Sequence, residues 1–386
     1  MRIAVLHALF DIAGGTEKLA LELARALDEL GYDVEILTFY RDRSILERNI
    51  NLLAPGRKPR VVAKPVPLSY RFLDVLSPGR FVRLKRLLAI KSSLKNVKKE
   101  HSYDLVFETC SNTPLNVDVS YIHFPVKIIA SQRLGKSFAY RLYHSIVERY
   151  AMTIEGEPRL VFTNSSWTAK KILETYPEFK GKVHVLYPTV DIEYFNEVAD
   201  RDRENLVVTV SRFTPEKGLD KILDVAAKMR DYKFVLAGSA ERYSKPVLED
   251  IERRVEKEGL DNVELLVNTP RDKLRELLGR AKYYLHPPYA EHFGIAVVEA
   301  MAAGCIPIVY RDGGAWFDIV SRVSDILGYS DVNEVPGIIR RIESDRVLYE
   351  ELKNKSISVS KEFNYERFKS ELSKYMNYLL ETRIHS

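Results

Sequence analysis

Short apolar runs alternate with amphipathic segments over most of the chain, and this alternation limits the fold more than any other feature. Such alternation is typical of parallel strands connected by crossover helices. Six runs precede a break at 187–191 and five follow it, so we predict an α/β chain with two successive doubly wound units. The predicted strands are 3–7, 34–38, 105–107, 119–122, 160–163 and 183–186, then 206–210, 234–237, 263–267, 283–285 and 306–309.

The length agrees with two domains, because the chain has 386 residues and a typical domain has about 100 to 200. We place the first domain at 1–197 and the second at 198–364, with the polar stretch 200–205 as the linker. Apolar residues at helical spacing predict a further amphipathic helix from Tyr365 to Leu380. The pattern alone leaves open which domain this helix packs on.

Composition excludes several classes of protein. With 46% hydrophobic and 29% charged residues, the chain can form ordinary globular cores and is not disordered or collagen-like. Two cysteines, Cys110 and Cys305, exclude a disulfide framework and fit buried thiols in a reducing compartment. The longest apolar stretch, 300–310, is shorter than the roughly 20 residues that cross a bilayer. We therefore expect a cytoplasmic protein that is soluble or bound to a membrane face.

A glycine pair, Gly14 and Gly15, lies between the first predicted strand and a helical run from Lys18 to Leu30. A glycine turn that opens a helix lets backbone N–H groups approach a phosphate. The G-x-G-x-x-G pattern of dinucleotide sites is absent. A tight strand-to-helix turn with no ligand is the alternative interpretation.

Two cations follow the first strand of the second block in the stretch 210–218. Arg212 presents a planar fork that suits phosphate oxygens, and Lys217 presents a flexible point charge. Together they could neutralise a pyrophosphate leaving group. When the stretch is considered alone, a capped turn with exposed charges is the better explanation.

The third motif, 289–308, contains two carboxylates eight residues apart, Glu291 and Glu299. It predicts an entry loop and then an almost wholly apolar helix that starts near Gly294 and carries Glu299 on its second turn. A buried carboxylate needs a partner, and a ribose diol would supply hydroxyl donors. The alternative partner is a set of neighbouring backbone N–H groups.

Taken together, these three motifs resemble those of the retaining nucleotide-sugar glycosyltransferases of family four, which have the GT-B architecture. The resemblance covers nearly the full length. It implies two Rossmann-like domains that face each other across a cleft, and a C-terminal helix, 365–386, that returns to the first domain. The second domain would bind the nucleotide sugar as a co-substrate, without a metal or other cofactor.

The resemblance also implies residue roles. Arg212 and Lys217 would hold the diphosphate, Glu299 the ribose, and the Phe293–Gly294–Ile295 turn the distal phosphate through its backbone. Glu291 would contact the transferred sugar as a catalytic residue. In the first domain, Gly14 and Gly15 would lie near the phosphates and the acceptor, and His123 would contact the sugar.

A finer resemblance rests on the segment 121–125, Tyr-Ile-His-Phe-Pro, which is similar to one in the mannosyltransferases that extend dolichol-linked oligosaccharides from GDP-mannose. His292 is a departure, because many family members have a small residue there. The finer resemblance implies transfer of a hexosyl group, namely mannosyl from GDP-mannose, to a lipid-linked or glycan acceptor. A UDP-sugar donor with a soluble or cell-surface glycan acceptor is the alternative.

The segment 71–99 carries nine Lys or Arg and one acid, Asp74, a local net charge of +8 in a chain whose total is +5. Apolar residues recur within it at helical spacing, at positions 84, 87, 90, 94 and 97. A basic apolar helix can rest on an anionic membrane surface. The alternative is a solvated helix whose apolar stripe packs on the first domain.

Three other classes of protein are less consistent with these motifs. A nicotinamide-dependent enzyme lacks its glycine fingerprint after the first strand. A nucleic-acid-binding protein would show stacking aromatics within the basic segment, so we expect no nucleic-acid partner. A non-catalytic relative would have no reason to keep Arg212, Lys217, Glu291 and Glu299 together.

Overall fold

A computed structural model describes residues 1–56, 59–77, 81–100, 103–131, 138–240 and 244–384. The chain forms two compact units. Unit 1 comprises Met1–Asn164, Thr168–Thr189 and Phe368–Ser386, and unit 2 comprises Ser165–Trp167 and Val190–Arg367. The main division falls between Thr189 and Val190, eight residues before the predicted boundary between 197 and 198. The final two residues of the predicted linker, 204 and 205, begin a strand.

Unit 1 contains a seven-stranded sheet with the strand order β3-β2-β1-β4-β5-β6-β7. Its seven strands pair in parallel throughout the described residues. Its strands are β1 Arg2–Leu9, β2 Asp33–Tyr40, β3 Val61–Pro65, β4 Leu105–Glu108, β5 Val119–Ile122, β6 Leu160–Thr163 and β7 Val183–Val185. The helices up to β7 are α1 Gly15–Glu29, α2 Arg43–Leu53, α3 Leu68–Leu76, α4 Val82–Glu100, α5 Val126–Ser131, α6 Phe138–Met152 and α7 Ser166–Thr175.

Unit 2 contains a six-stranded parallel sheet with the order β10-β9-β8-β11-β12-β13. Its strands are β8 Glu204–Val210, β9 Lys233–Gly238, β10 Val263–Val267, β11 Ala281–Leu285, β12 Ile306–Tyr310 and β13 Gly328–Tyr329. The remaining helices are α8 Ile192–Asn196, α9 Asp220–Lys228, α10 Lys245–Lys257, α11 Arg271–Arg280, α12 Ile295–Ala302, α13 Val335–Glu343, α14 Arg346–Ser360 and α15 Tyr365–Ile384.

The predicted α/β class with two doubly wound units is confirmed. Central strands are buried on both faces, as helix-covered parallel strands must be, and they therefore read as continuous apolar runs. In β1, for example, only the first residue, Arg2, is not buried. All eleven predicted strands are present, while β3 and β13 were missed. β3 is an edge strand with largely exposed side chains, and β13 has two residues.

Both sheets have a topological switch point between their first and fourth strands in chain order. In unit 1, β1 pairs with β2 on one side and β4 on the other; in unit 2, β8 lies between β9 and β11. Loops that follow the two strands at such a point diverge to opposite sides and leave a crevice at the carboxyl edge of the sheet. Functional side chains are therefore expected after β1 and β4, and after β8 and β11.

Helix α15 packs on unit 1, although it follows unit 2 in the chain. The apolar residues whose spacing predicted this helix form one buried stripe, with Phe368, Leu372, Met376 and Leu379 buried. The Tyr375 ring lies 5.0 Å from that of Phe162 in β6 and 4.9 Å from that of His184 in β7. Arg159 also donates a hydrogen bond to the Leu379 carbonyl at 2.7 Å.

The basic segment forms parts of α3 and α4. The apolar stripe of α4 faces inward, because Leu87 and Ile90 belong to a core cluster of unit 1 and Leu84 packs against it. Arg80 lies outside the described residues, as do the side chains of Lys95, Lys98 and Lys99. Within the described part of the chain, no helix is long and apolar enough to cross a membrane.

Arg203, in the predicted linker, connects four backbone carbonyls of unit 2. Its guanidinium donates to Leu278, Ala281, Ala199 and Ala303 at 2.5 to 3.0 Å. These carbonyls include the ends of α11 and α12, where backbone acceptors lack intrahelical partners. Gly304 is required beside it, since its φ is 87° and an added Cβ would lie 2.3 Å from the guanidinium.

We predict that Arg203→Met lowers the free energy of unfolding by about 2 to 4 kcal/mol, because it leaves several carbonyls without a donor. Urea denaturation monitored by circular dichroism measures the change. Arg201→Met is the matched control: Arg201 forms an exposed ion pair with Glu276, and the loss of a solvent-screened pair should cost much less. Equal effects for the two variants would contradict the assignment.

Candidate functional site

Lys217 and Glu291 form an ion pair at the switch point of unit 2. Lys217 ends a short 3-10 turn after β8, and Glu291 lies in the loop after β11. The Lys217 Nζ is 2.7 Å from the Glu291 Oε2, and it lies 4.2 Å from the centroid of the Tyr289 ring. The turn ends at Gly218, whose φ of 62° suits glycine. Two motifs 74 residues apart are thus in direct contact.

Glu291 is ionised in this setting. Burial raises the pKa of its carboxyl, but the Lys217 ammonium outweighs burial, together with His286 and His292 in acid where their rings are protonated, and the pKa is lowered to about 2. The two side chains are only 11% and 23% exposed, for Lys217 and Glu291 respectively. A poorly hydrated cation and anion are therefore held at hydrogen-bonding distance.

Two histidines flank the Glu291 carboxylate. The His286 Nε2 is 3.8 Å from Glu291 Oε2 and, within the described residues, makes no hydrogen bond. Burial lowers the pKa of both His286 and His292 to about 4, against the attraction of Glu291. Both rings are therefore neutral at neutral pH, so Lys217 supplies the cationic charge next to Glu291.

A second loop of unit 2 supports the backbone of Glu291 and His292. Gly313, with φ of 89°, forms a bridge with Glu291, and an added Cβ there would lie 2.4 Å from the Glu291 carbonyl. The Trp167 ring stacks on His292 at 5.9 Å, and its Nε1 donates to Asp312 at 2.8 Å. The loop conformation around Glu291 is therefore fixed from two sides.

Helix α12 begins beside this pair. Gly294, at its N-cap, has φ of 108°. Within the described residues, the amides of Gly294 and Ile295 donate to no protein acceptor. Phe293 is buried and its ring contacts Phe363 at 5.4 Å, so it anchors the turn to the core of unit 2.

The remaining predicted residues of unit 2 differ in their surroundings. The Glu299 carboxylate, on the second turn of α12, lies 3.8 Å from Arg271, a partner that sequence reasoning missed. The Arg271 guanidinium also pairs with Asp191 and lies over the Tyr194 ring. Arg212 is exposed and, in the described part of unit 2, its guanidinium pairs with no carboxylate.

In unit 1, the glycine turn after β1 is shaped by a buried glutamate. Gly14 is the N-cap of α1 and Gly15 is its first residue. Any Cβ at Gly14 would lie 2.8 Å from Glu17 Oε2, which accepts a hydrogen bond from Thr16. Burial raises the pKa of Glu17, but interactions with His7 and Arg86 outweigh it and lower the pKa to about 2. The glycine pair thus lies beside a buried negative charge.

His7 and His123 both contact Thr109, which directly follows β4. His7 Nδ1 lies 3.0 Å from the Thr109 hydroxyl, and its Nε2 lies 3.9 Å from Glu17. His123 Nε2 donates to the Thr109 carbonyl at 3.0 Å, which fixes the proton on Nε2 when the ring is neutral. The loop after β4 therefore connects His123 to the group around Glu17, within unit 1.

The structure thus brings several predicted residues into two groups, one at each switch point. Sequence reasoning missed some of their neighbours, namely His7, Glu17, Arg86, Thr109, Trp167, Arg271, His286 and Asp312. Polar residues at the end of an apolar strand would have indicated His7, Thr109 and His286, but no sequence signal indicates Trp167. Among the described residues, no group of His, Cys, Asp and Glu side chains is arranged to hold a metal.

Two family profiles match consecutive parts of the chain. The profile described as Glycosyltransferase Family 4 matches residues 13–194, and that described as Glycosyl transferases group 1 matches residues 190–358. The matches meet at the border between the units and include every predicted site residue. The chain is a member of the family-four glycosyltransferases. The resemblance that the motifs indicated is therefore confirmed.

Curated relatives include mannosyltransferases. The GDP-Man:Man(3)GlcNAc(2)-PP-Dol alpha-1,2-mannosyltransferase of Dictyostelium discoideum is 27% identical over 69% of this chain and 56% of its own length. The human protein of the same name is 28% identical over 54% of this chain and 49% of its own. The alpha-1,3/1,6-mannosyltransferase ALG2 of Rhizomucor pusillus is 24% identical over 86% and 81%. The chain spans about half the length of the first two relatives.

Solved structures confirm the GT-B fold. Sucrose-phosphate synthase from Thermosynechococcus elongatus superposes with a TM-score of 0.73 and 18% identity, over 99% of this chain and 100% of the other. Anabaena HepE in complex with UDP and glucose superposes with a TM-score of 0.69 and 18% identity, over 98% and 99%.

We predict that His286 makes unit 2 sensitive to acid. Burial lowers the pKa of His286 to about 4 in the folded protein, below its ordinary value of 6.5, so between these two pH values the unfolded chain binds a proton that the folded chain does not. The stability that unit 2 gains from a neutral His286 is then fully present above pH 6.5 and is lost as the pH drops towards 4. Between pH 6.5 and 4, the free energy of unfolding of His286→Gln should fall by about 1 to 3 kcal/mol less than that of the wild type, as measured by urea unfolding at each pH. His184→Gln, in unit 1, is the control that keeps the His286 contribution; an unchanged profile for His286→Gln would contradict the prediction.

Proposed function

We propose that this protein is a retaining mannosyltransferase that transfers mannose from GDP-mannose to a lipid-linked glycan acceptor. Family membership supports glycosyl transfer from a nucleotide sugar. The mannosyltransferase names of the relatives and the Tyr-Ile-His-Phe-Pro segment at 121–125 support the finer assignment. A UDP-sugar donor is the second candidate, because HepE, with the same fold, was crystallised with UDP and glucose.

The contact between Lys217 and Glu291 is the observation that carries the proposal. Lys217 is a buried cation at the switch point, where a parallel sheet binds its ligand. A donor diphosphate would attract Lys217 and the exposed Arg212, and it would weaken the hold of Lys217 on Glu291. Glu291 would then be available to accept hydrogen bonds from the hydroxyls of the donor sugar.

The nucleotide would extend from this point towards α12. The amides of Gly294 and Ile295 face no protein acceptor among the described residues and would donate to the distal phosphate. Glu299 would accept from the ribose hydroxyls, with Arg271 balancing its charge at 3.8 Å. Phe293 would act through the turn, because its ring is packed in the core.

Unit 1 would supply the acceptor side of the reaction. We assign His123 to the transferred sugar and Gly14 and Gly15 to the acceptor and phosphates. Thr109 would position His123, because its carbonyl holds the Nε2 proton.

We further propose that the leaving diphosphate is stabilised by Lys217, Arg212 and the start of α12, with no metal ion or other cofactor required. Attack would occur on the face from which the diphosphate leaves, so that the product retains the configuration of the donor. A lipid-linked acceptor would place the enzyme at the cytoplasmic face of an anionic membrane, with the basic segment 71–99 next to it. Nucleic acid has no part in the proposal.

A donor panel tests the proposed function. The protein is incubated with GDP-mannose, UDP-glucose or UDP-N-acetylglucosamine and a short-chain lipid diphosphate glycan, and products are analysed by mass spectrometry. We expect transfer from GDP-mannose and an α linkage by NMR, with or without a chelator. Transfer from a UDP-sugar alone would refute the donor assignment, and a β linkage would refute retention.

Lys217→Met tests the site. We expect kcat/KM to fall by at least about 100-fold, because the main cation near the leaving diphosphate is lost. Lys221→Met is the matched control, since Lys221 is exposed and pairs only loosely with Asp220 at 3.8 Å. Full activity of Lys217→Met would contradict the assignment.

A further inference from the structure

Helix α3 presents large apolar side chains to solvent. Four of its nine residues are apolar and at least 65% exposed: Leu68 at 81%, Phe72 at 67%, Val75 at 81% and Leu76 at 65%. Isolated exposed apolar residues are ordinary, but a cluster marks a surface that is covered in function. No other helix of the described chain has so many.

The four residues share one side of α3. At about 100° per residue they form a strip about 100° wide, with Arg71 at its edge. The opposite side faces unit 1, where Tyr70 is buried and Asp74 pairs with Lys85 at 2.7 Å. The helix is therefore held in place by its polar and aromatic side, and folding leaves its apolar strip uncovered.

Exposed apolar residues also lie on α6, which packs on α4 as α3 does. Leu142 and Ile146, one turn apart, are 51% and 47% exposed. Both α3 and α6 pack on α4, which contributes to the same core cluster as Tyr70 of α3 and Val147 of α6. The Phe81 ring, just before α4, contacts Tyr143 of α6 at 4.9 Å.

The charge around these helices is positive. Arg71 and Arg141 each precede an exposed apolar residue, and in the described part of the chain neither guanidinium pairs with a carboxylate. Asp74, the one acid in the segment 71–99, is already paired with Lys85 and lies 3.6 Å from Arg41. A partner for this region must therefore be both apolar and anionic.

We propose that the apolar strip of α3 inserts into the headgroup region of an anionic lipid bilayer. A lipid leaflet offers an apolar interior beneath anionic headgroups, which matches exposed leucine, valine and phenylalanine next to unpaired arginine. The inserted residues are Leu68, Phe72, Val75 and Leu76. The inference deepens the membrane location given under the proposed function, and it assigns insertion to α3 because the stripe of α4 is buried in unit 1.

Vesicle flotation tests this inference without any sugar donor. We use the full chain with vesicles of phosphatidylcholine alone or mixed with phosphatidylglycerol, and we expect binding to the mixed vesicles. The double variant Phe72→Ser/Val75→Ser should bind at least about tenfold more weakly, since each lost side chain removes apolar burial. Val347→Ser, an equally neutral change at a 67% exposed valine of unit 2, should bind as the wild type does.

The variant Phe72→Trp gives a second measurement that does not depend on loss of binding. Its fluorescence should shift to shorter wavelength on mixed vesicles and should be quenched by brominated lipid. Binding that is unchanged in the double variant, together with no shift for Phe72→Trp, would overturn the inference. No vesicle binding at all, or self-association through the strip, would also overturn it.

Mannose transfer and vesicle binding are measured independently, so the proposed chemistry and the proposed insertion can fail separately. Mannose transfer to a short-chain acceptor in detergent, without vesicle binding, would leave the proposed chemistry intact and reject insertion. Vesicle binding through α3 without mannose transfer would reject the chemistry and support insertion. Binding that survives the double variant but disappears at high salt would overturn insertion and indicate electrostatic docking by the basic segment alone.

Discussion

The loops after the two central strands of a doubly wound sheet diverge, and the crevice that they leave is the constraint on which both groups of functional side chains depend. In unit 2 this constraint brings Lys217 and Glu291 into contact across 74 residues of sequence. In unit 1 it brings the loop after β4, with Thr109, to the end of β1, with His7. The same topology thus produces two sites of different chemistry.

Each crevice contains a carboxylate that is buried, as Glu17 is, or mostly shielded from solvent, as Glu291 is, and its partners decide what the crevice can bind. Glu17 lies between His7 and Arg86, and Glu291 contacts Lys217. Burial alone would raise the pKa of both carboxyls, but hydrogen bonds and neighbouring positive charge, from Arg86 at Glu17 and from Lys217 at Glu291, hold both pKa values near 2. A ligand that draws the cation away must therefore offer negative charge of its own, as a diphosphate does.

Sequence reasoning predicted the strands well because a strand that is buried on both faces consists of consecutive apolar residues. It missed β3, Val61–Pro65, because this edge strand exposes alternate side chains and therefore lacks a continuous apolar run. The motif residues were predicted through their resemblance to a family, whereas the place of Trp167 next to His292 becomes visible only when the loops are folded together. In the basic segment, periodicity identified an apolar stripe but could not show that α4 turns it inward while α3 turns its own outward.

The position of helix α15 at the end of the chain determines the order in which the two units can complete their folding during synthesis. Residues up to Thr189 supply all seven strands of unit 1, yet Phe162 and His184 stay uncovered until Tyr375 has been synthesised. Unit 2 is one nearly continuous segment and can fold as soon as it leaves the ribosome. Unit 1 must instead wait, incomplete, for the whole of unit 2 to be translated, so the half that is made first is the half that finishes folding last.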